Sequence, residues 1–313
     1  MNILITAIGS MSADSVISSL NNLGHKIIGC DIYPKEFHAI SKDCKKVYLA
    51  PLATDDNSYI KFLLDVIYIN KINYLIPLTD PEVDVINKNR NKIEESGVII
   101  CMPNEEAILV ARNKFTLFEK FKNDDNVPTI NTYRNKDLKV YKGLFPCVAK
   151  PANGRSSEGL VFIYTREELD IFIRKDGYII QEFIDGPLFT VDYVRNAITG
   201  NDFAIPREEL LRTKNGAGIT VKVKEDSQLQ RLVSYIGNKL EVNGCINMEF
   251  IKHKRKFYLI DINPRFSAGV AFSSLTGYNM VESHLNCFSG KDILHPVKIK
   301  EQIMTKRYKE EIL

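Results

Sequence analysis

The sequence lacks the patterns that mark several common functional classes. Its six cysteines form no C-x-x-C pair and no cluster with histidine, so no zinc or redox motif is visible. The net charge of +3 is close to balanced and does not argue for binding to nucleic acid or to a membrane. No apolar run is long enough to span a bilayer, and no basic segment precedes the first apolar run. We therefore expect a cytoplasmic protein with free thiols.

Two phosphate-binding signatures are also missing. The order G-x-x-x-x-G-K-[S/T] is absent, so the chain has no P-loop. Gly9 is followed by Ser10, Met11 and Ser12, so the dinucleotide-binding order G-x-G-x-x-G fails after the first strand, although Asp31 ends the second strand. An NAD(P)-dependent oxidoreductase therefore stays only as an alternative hypothesis.

The first hundred residues alternate between short apolar strands and helices. The predicted strands cover 2–8, 26–32, 45–51, 73–78 and 97–102, and the predicted helices cover 12–24, 57–70 and 81–96. Apolar runs without alternation, separated by helices, are typical of a parallel sheet covered on both faces. We expect a doubly wound α/β lobe.

The pattern changes after residue 104. Two helical pieces cover 104–121, and short strands then dominate up to residue 224. A helix at 225–241, a hairpin of strands 244–253 and 256–264, and a helix near 277–288 complete the chain. This order indicates an α+β architecture. We predict three domains, with residues 1–111, 112–184 and 185–313.

Polar residues cluster in the predicted C-terminal hairpin. Side chains alternate along a strand, so Asp261 and Asn263 share a face, and the neighbouring strand can place Glu249 beside them. Three converging oxygen ligands suit Mg²⁺. Arg265 follows closely and would grip a phosphate with two parallel hydrogen bonds. The same residues also fit a solvated strand end with one buried ion pair.

A lysine and a flexible loop follow the predicted strand at 145–150. Lys150 ends this strand, and Gly154 and Gly159 free the loop backbone to approach a phosphate. Ser156 and Ser157 add hydroxyl donors. A polar hairpin turn with a surface lysine would explain the same pattern.

The segment "YIIQEFIDGP", residues 178–187, runs from a buried strand into a Gly-Pro break. If it connects two lobes, its backbone groups can read the edge of an adenine ring. A strand followed by an ordinary turn is the alternative.

Taken in order, these motifs resemble the ATP-grasp superfamily, and within it the carbamoyl-phosphate-synthase-like carboxylate–amine ligases. The resemblance covers most of the chain, through "ILITAIGS", "ARNKFTLFEKF", "CVAKPANGRSSEG", "IIQEFIDG", "INMEFI" and "LIDINPR". It implies bound ATP with two Mg²⁺ ions, or Mn²⁺ in their place, and Glu249, Asp261 and Asn263 as the metal ligands. The nucleotide-binding residues that it implies are Lys114, Lys150, Ser156, Ser157, Gly159, Gln181, Glu182, Phe183, Ile184 and Asp185.

The resemblance also implies a reaction. The γ-phosphoryl group passes to a substrate carboxylate, and an amine attacks the resulting acyl phosphate to form an amide. Lys150 would neutralise phosphate oxygens, and Arg265 would stabilise the acyl phosphate. Arg212, on a glycine-bearing loop at 206–218, would bind the acid or the developing phosphate, unless this segment is only a solvated basic loop. Such transfers rely on positioning and charge neutralisation, so no Ser/His/Asp set is required.

Two positions depart from the family pattern. Leu188 stands where the family carries an acidic residue that binds the ribose, and Asp185 or Glu182 would have to replace it. Asp261 stands where glutamate is commoner, which shortens the side chain by one methylene and keeps the charge.

The implied partners are a small carboxylate and a small amine, with no nucleic acid, no membrane and a homodimer as the oligomeric state. Asp80 and Glu82 follow the fourth strand and either line the acceptor pocket or serve as helix N-terminal acids. A nucleotide-binding regulatory protein with the same fold is the second alternative. ATP consumption that needs both substrates distinguishes the ligase from it.

Overall fold

Five parallel strands form the N-terminal sheet of the computed structural model, which describes residues 1–134, 143–154, 158–172 and 174–312. The strands are β1 (Asn2–Ile5), β2 (Lys26–Asp31), β3 (Lys46–Leu49), β4 (Tyr74–Ile76) and β5 (Ile99–Ile100). Their order is β3-β2-β1-β4-β5, with β1 in the centre. This order is that of a doubly wound sheet and confirms the predicted fold of this lobe.

Helices α1 (Ala13–Asn22), α2 (Asp56–Asn70), α3 (Asp80–Lys88) and α4 (Arg90–Glu94) connect these strands. The single helix predicted at 81–96 is therefore wrong. Asn89 leaves helical geometry, with φ −114° and ψ 22°, and separates α3 from α4.

Helices α5 (Glu105–Arg112) and α6 (Lys114–Phe121) confirm the two predicted helical pieces. Asn113 between them is extended, with φ −128° and ψ 112°. Its side chain accepts hydrogen bonds from the backbone N–H groups of Phe115 and Thr116, both at 3.0 Å. This N-cap makes Lys114 the first residue of α6.

Four antiparallel strands form the second sheet, in the order β6-β9-β7-β8. They are β6 (Thr132–Arg134), β7 (Cys147–Pro151), β8 (Val161–Ile163) and β9 (Tyr178–Glu182). Helix α7 (Arg166–Phe172) covers one face, where Leu169 packs with Ala149, Ile163 and Ile180 in a small apolar core. The opposite face of this sheet lines the candidate site described below.

The third sheet has six antiparallel strands in the order β14-β13-β10-β11-β12-β15. They are β10 (Leu188–Arg195), β11 (Asp202–Arg212), β12 (Gly218–Val223), β13 (Gly244–His253), β14 (Lys256–Asn263) and β15 (Gln302–Thr305). Helix α8 (Ser227–Lys239) packs on one face, and α10 (Met280–Phe288), preceded by α9 (Val270–Ser274), packs on the other. The predicted hairpin is confirmed as β13 and β14, whereas α9 and β15 were not predicted.

All six cysteines are free, and Cys30, Cys147 and Cys245 are buried as expected. Within the described ranges, no helix combines the length and the apolar character needed to cross a membrane.

Glu82 is a buried acid of the N-terminal lobe. Its carboxylate accepts hydrogen bonds from the hydroxyls of Thr6 and Thr79, both at 2.8 Å, and of Tyr59, at 3.1 Å. Burial raises the pKa of Glu82 to about 7, and these three donors only partly oppose the rise. Glu82 is therefore a helix N-terminal acid in a structural network, and its assignment to an acceptor pocket is wrong.

The raised pKa of Glu82 predicts a pH-dependent stability. An acid whose pKa is higher in the folded state contributes fully below its unfolded pKa of 4.5 and loses that contribution as the pH rises through 7. The free energy of unfolding of the wild type, relative to Glu82→Gln, should fall by about 3 kcal/mol across this window. Urea titrations at several pH values measure this difference. Glu95→Gln, at an exposed helix end, is the control, and parallel pH profiles for wild type and Glu82→Gln would contradict the prediction.

Candidate active site

Two adjoining cavities lie on the inner face of the six-stranded sheet. Cavity A, of about 300 Å³, lies between this sheet and the four-stranded sheet, and the start of α6 closes one side. Cavity B, of about 540 Å³, lies between the six-stranded sheet, the starts of α1 and α3, and the turn between β11 and β12. The two walls share Arg212, Glu249 and Asp261. These three side chains therefore lie where the cavities meet.

Glu249 and Asp261 face each other directly across β13 and β14. Like charges at such positions repel unless cations offset them. Here Lys114 Nζ lies 3.2 Å from Asp261 Oδ2, and an Arg212 NH2 group lies 3.2 Å from Glu249 Oε2. Burial nevertheless raises the pKa of Asp261, and Lys114 opposes the rise. The pair thus concentrates negative charge at one place and attracts cations.

A β-bulge produces this arrangement. Phe250 pairs with Leu259, whereas the preceding Glu249 pairs with Asp261, so Ile260 is one residue more than regular pairing needs. Leu259 packs in the apolar core on the α8 side, while Ile260 and Asp261 both line cavity A. The extra residue therefore turns Asp261 onto the face of Glu249.

A second bulge positions Arg212. The pairing of β11 with β12 shifts between Glu209 and Leu211, and Leu210 and Leu211 are both exposed. After the shift Arg212 lies on the inner face, and its Nε donates to the carbonyl oxygen of Gly216 at 2.6 Å. The predicted loop at 206–218 is therefore wrong in part, because residues up to Arg212 belong to β11.

Lys114 and Lys150 approach the acidic pair from the other side of cavity A. Lys114 Nζ also donates to the carbonyl oxygen of Gly154, at 2.8 Å, which ties α6 to the loop after β7. Burial lowers the pKa of Lys150 to about 8, Asp261 opposes this shift and the Lys114 ammonium adds to it. The cavity thus brings two amines of the sequence prediction to the two acids.

The segment from Phe183 to Leu188 forms the rim of cavity A. His253 Nδ1 lies 2.9 Å from the carbonyl oxygen of Asp185, and the Lys252 N–H donates to the carbonyl oxygen of Pro187 at 3.0 Å. Within the described ranges, the backbone groups of Phe183 and Ile184 have no hydrogen-bond partner. The rim is therefore anchored at one end and open to a planar ligand at the other.

The remaining walls of cavity A are largely apolar. They comprise Ile130, Val148, Leu160, Phe162, Leu188, Ile251 and Ile260. The ring of Phe162 contacts that of Phe183 edge to face, with 5.7 Å between centroids. A flat, weakly polar group fits between the two sheets here.

Other predicted nucleotide-binding residues have different positions. The Gln181 side chain is buried and donates to the Thr132 hydroxyl at 2.8 Å, so its amide is already used inside the sheet. Gly159 is not among the residues that line cavity A and packs against Tyr178 and Pro151. Ser156 and Ser157 lie outside the described residues.

Glu182, Asp185 and Leu188, the three residues weighed for a ribose contact, all line cavity A. The carboxylate of Glu182 accepts a hydrogen bond from the Asn131 side chain at 3.0 Å. Asp185 is exposed at the rim. Both acids are thus within the same cavity as Leu188, and the choice between them stays a prediction.

Arg265 joins the inner sheet to the N-terminal lobe. Its Nε and an NH2 group donate to both carboxylate oxygens of Asp80, at 2.8 and 2.9 Å, although 185 residues separate the two positions. The side chain of Asp80 is fully buried, and Arg112 lies 3.7 Å from the same carboxylate. Asp80 lines cavity B and is also the first residue of α3, so its place in an acceptor pocket stays a prediction beside its role as a helix N-terminal acid.

Sequence reasoning missed a polar row on the inner face. In register across the strands stand Thr190 beside Glu249, and Asn247 beside both Asp192 and Asn263. The Asn263 side-chain amide donates to Asn247 Oδ1 at 3.3 Å. Alternation of polar residues at 190 and 192 was the available signal, but it carries weight only once β10 is known to neighbour β13.

The donor set fits a hard divalent cation. Glu249 and Asp261 offer carboxylate oxygens, and Asn263 offers an amide oxygen on the same face. Within the described ranges, no three acidic, histidine or cysteine side chains meet at one point. Mg²⁺ is commonly held by one or two carboxylates together with phosphates and water, and this set satisfies that requirement.

The position that a dinucleotide-binding protein would use is occupied. Asp31 accepts a hydrogen bond from the Gly9 N–H at 2.8 Å and another from the Tyr33 N–H at 3.0 Å. The His38 ring lies 3.2 Å from the same carboxylate and would collide with any side chain at position 9. These contacts count against the oxidoreductase alternative.

Comparison with known proteins gives two family matches. Residues 111–269 match the model of the ATP-grasp domain, and residues 3–101 match that of the PylC-like N-terminal domain. The first match covers about half of the chain and contains Arg212, Glu249 and Asp261, the three residues that line both cavities.

Two curated relatives and one solved structure show the range of similarity. The arginine-specific large chain of carbamoyl phosphate synthase from Halalkalibacterium halodurans is 23% identical over 270 residues, which cover 79% of this chain and 25% of that protein. The chain thus spans about a quarter of that relative's length. D-alanine–D-alanine ligase from Petrotoga mobilis is 24% identical over 316 residues, covering 89% of this chain and 94% of the ligase.

The solved structure is the biotin carboxylase domain of 2-oxoglutarate carboxylase from Hydrogenobacter thermophilus, in complex with MgADP, ADP and bicarbonate. It aligns with a TM-score of 0.77 at 18% identity and covers 96% of this chain and 73% of that one. At this identity the likeness shows a shared fold. Together with the domain match over residues 111–269, it leads to one conclusion: the chain belongs to the ATP-grasp family.

Proposed function

We propose that the protein is an ATP-dependent ligase that activates a carboxylate as an acyl phosphate and joins it to an amine, with release of ADP and phosphate. One observation carries the proposal. The facing pair Glu249 and Asp261 lies at the junction of an apolar cavity and a polar cavity, with cationic side chains on both sides. This is the arrangement that a phosphoryl transfer between two bound substrates needs.

ATP would occupy cavity A. The apolar walls and the open backbone groups of Phe183 and Ile184 suit an adenine ring. Lys114 and Lys150 would then neutralise phosphate oxygens near Asp261. Gln181 would contribute through its backbone position, because its side chain is bound to Thr132.

Divalent cations, two Mg²⁺ or Mn²⁺ in their place, would be held by Glu249, Asp261 and Asn263. When bound they supply charge neutralisation at the transferred phosphoryl group. Lys114 and Arg212 now contact two of these carboxylates. Lys114 also lines cavity A and would contact the nucleotide there, and Arg212 also lines cavity B and would contact an anion there.

The acid and the amine would meet in cavity B. Arg212 and Arg265 line it near the acidic pair and would bind the substrate carboxylate and the acyl phosphate. The amine nitrogen attacks the acyl carbon, the bond to the phosphate oxygen breaks, phosphate leaves with that electron pair, and the nitrogen loses a proton.

The relatives named above support this class of reaction. Their names describe ligation of D-alanine, synthesis of carbamoyl phosphate and carboxylation, which are three different reactions. The identity of the acid and amine is therefore left to the experiment. The domain boundaries at 111/112 and 184/185, the homodimer and the cytoplasmic location stay predictions.

The proposal predicts ADP formation that depends on both substrates. Purified protein with MgATP is screened against panels of small acids, first with hydroxylamine as a surrogate amine that converts acyl phosphates to coloured hydroxamates, and then with natural amines. We expect an acid that yields hydroxamate and ADP in equal amounts. Tight ATP binding without turnover for any acid would favour the regulatory-protein alternative, and turnover of NAD(P)H would favour the oxidoreductase.

A further inference from the structure

Cavity B contains a buried carboxylate that the fold satisfies only in part. The Glu209 side chain, on β11, is 3% exposed, and its Oε1 lies 3.4 Å from Arg207 Nε. Its second oxygen, Oε2, has no hydrogen-bond donor within the described ranges. A buried acceptor of this kind costs stability, so its presence calls for a functional explanation.

Arg207 does not require Glu209 for neutralisation. Its guanidinium donates to Asp192, with NH1 to Oδ2 at 2.8 Å, and to the Ser267 hydroxyl at 3.0 Å. Asp192 in turn accepts a hydrogen bond from Ser273 at 2.6 Å. Arg207 and Asp192 therefore compensate each other, whereas the charge of Glu209 is offset by its weaker contact with Arg207 and, at longer range, by the Lys306 ammonium.

The other nearby cation is also engaged elsewhere. Lys306 Nζ donates to the carbonyl oxygen of Ala268 at 2.7 Å and packs over the ring of Phe272. No described residue thus supplies a hydrogen bond to Oε2, which leaves this oxygen free to accept one from water or from a bound molecule.

Gly218 keeps this oxygen approachable. It begins β12, it lines cavity B together with Glu209, and a Cβ atom at this position would collide with Oε2. The adjoining turn also lines the cavity, through Thr213, Gly216 and Ala217. The Glu209 carboxylate therefore contacts a residue without a side chain at the end of a turn, which leaves room for a ligand to approach.

Arg212 and Glu209, on the same wall of cavity B, carry opposite charges and would bind different parts of the two substrates. Arg212, three residues after Glu209, lies on the same inner face because of the bulge at 210. Arg212 suits an anion, and Oε2 of Glu209 suits a positively charged N–H donor. An acid bound at Arg212 and an ammonium bound at Glu209 would lie next to each other.

We propose that Glu209 binds the amino group of the amine substrate through Oε2 and holds its nitrogen beside the acyl group at Arg212. This inference rests on the proposed ligase function and adds the residue that selects the second substrate. The substrate class that it specifies is a primary amine that carries a positive charge in solution.

The test compares two nucleophiles in wild type and in Glu209→Gln. Hydroxylamine is small and uncharged at neutral pH, so its reaction with the acyl phosphate does not need the carboxylate. The probes for the site are ammonium, ethanolamine and the common amino acids, each with the acid found by hydroxamate formation. Because a hydrogen bond to a charged group is lost, we expect KM for the accepted amine to rise roughly 10- to 100-fold. The rate of hydroxamate formation should stay within about twofold, since acid activation is untouched.

Glu208→Gln, on the outer face of the same strand, is the matched control and should leave both reactions unchanged. Glu209→Asp keeps the charge beside Arg207 and is used if the glutamine variant does not fold; it should raise KM by a smaller factor. An unchanged KM in either folded variant overturns the inference while the ligase function stands. Equal loss of hydroxamate and amide formation also overturns it. A wild type that yields no hydroxamate refutes the ligase function, and the inference with it.

Discussion

Asp261→Asn should reduce ADP release by about 10³-fold, because an amide removes the charge that holds a divalent cation opposite the phosphates. Asp261 lies across from Glu249 and 3.2 Å from Lys114, so it stands between the other proposed metal ligand and the amine proposed to bind the nucleotide. Without the Asp261 carboxylate, Glu249 is the one carboxylate left of the proposed set of metal ligands. The rate is measured as ADP formed with hydroxylamine and the acid identified by the screen.

A binding measurement separates the metal role from a structural one. Calorimetric titration with ATP, with and without Mg²⁺, should show an Mg²⁺-dependent gain in affinity for wild type and little gain for Asp261→Asn. Asp261→Glu keeps the carboxylate, carries the side chain commoner in the family, and should retain most of the Mg²⁺-dependent gain. Full activity of Asp261→Asn, or a loss of circular dichroism that accounts for its inactivity, would refute the metal assignment.

Arg265→Lys is the second variant with a large expected effect. The guanidinium now forms two parallel hydrogen bonds with Asp80 and a third with the carbonyl oxygen of Phe266, at 3.1 Å. A lysine keeps the charge but cannot reproduce the fork. We expect kcat to fall about 100-fold, since one preorganised donor at a developing negative charge is commonly worth that factor.

The affinity for MgATP should change less than about threefold in Arg265→Lys, because the residue lines cavity B and not cavity A. Steady-state kinetics and ATP titration measure the two quantities separately. Arg255→Lys, in the exposed turn of the same hairpin, is the control. A parallel loss of ATP affinity and kcat would assign Arg265 to the nucleotide instead of the acid.

The N-terminal fold could be predicted because its signals are local. Short, fully apolar strands such as Ile3–Ile5 leave few options except a covered parallel sheet, and the observed order β3-β2-β1-β4-β5 agrees. That Glu249 and Asp261 lie on neighbouring strands was also accessible, since a tight turn joins β13 to β14, but their direct pairing depends on the bulge at Ile260.

Other features of the site depend on distant contacts. Arg265 was expected to bind a phosphate. Its ion pair with Asp80 could not be predicted, because it follows from how the lobes pack. Gln181 was predicted to bind nucleotide as part of a segment that offers its backbone groups, and only the pairing of β6 with β9 shows that its side-chain amide donates to Thr132. Glu209, within "PREELLR", was not predicted as a site residue, because strand alternation alone does not reveal which face is buried.

The extra residue Ile260 has a consequence for how sequences of this type can vary. Because the bulge already absorbs Ile260, its removal would leave regular pairing in which Asp261 still faces Glu249 and Asn263 still faces Asn247, with the loss of one apolar side chain from cavity A. An insertion or deletion of one residue between Asp261 and Asn263 has no such tolerance, because it would turn one of these two ligands to the α8 side. The tip of the same hairpin, at Lys254 and Arg255, is exposed and can change length without such a turn. Functional descendants of this chain should therefore vary in length at the tip or at the bulge and keep the spacing from Asp261 to Asn263.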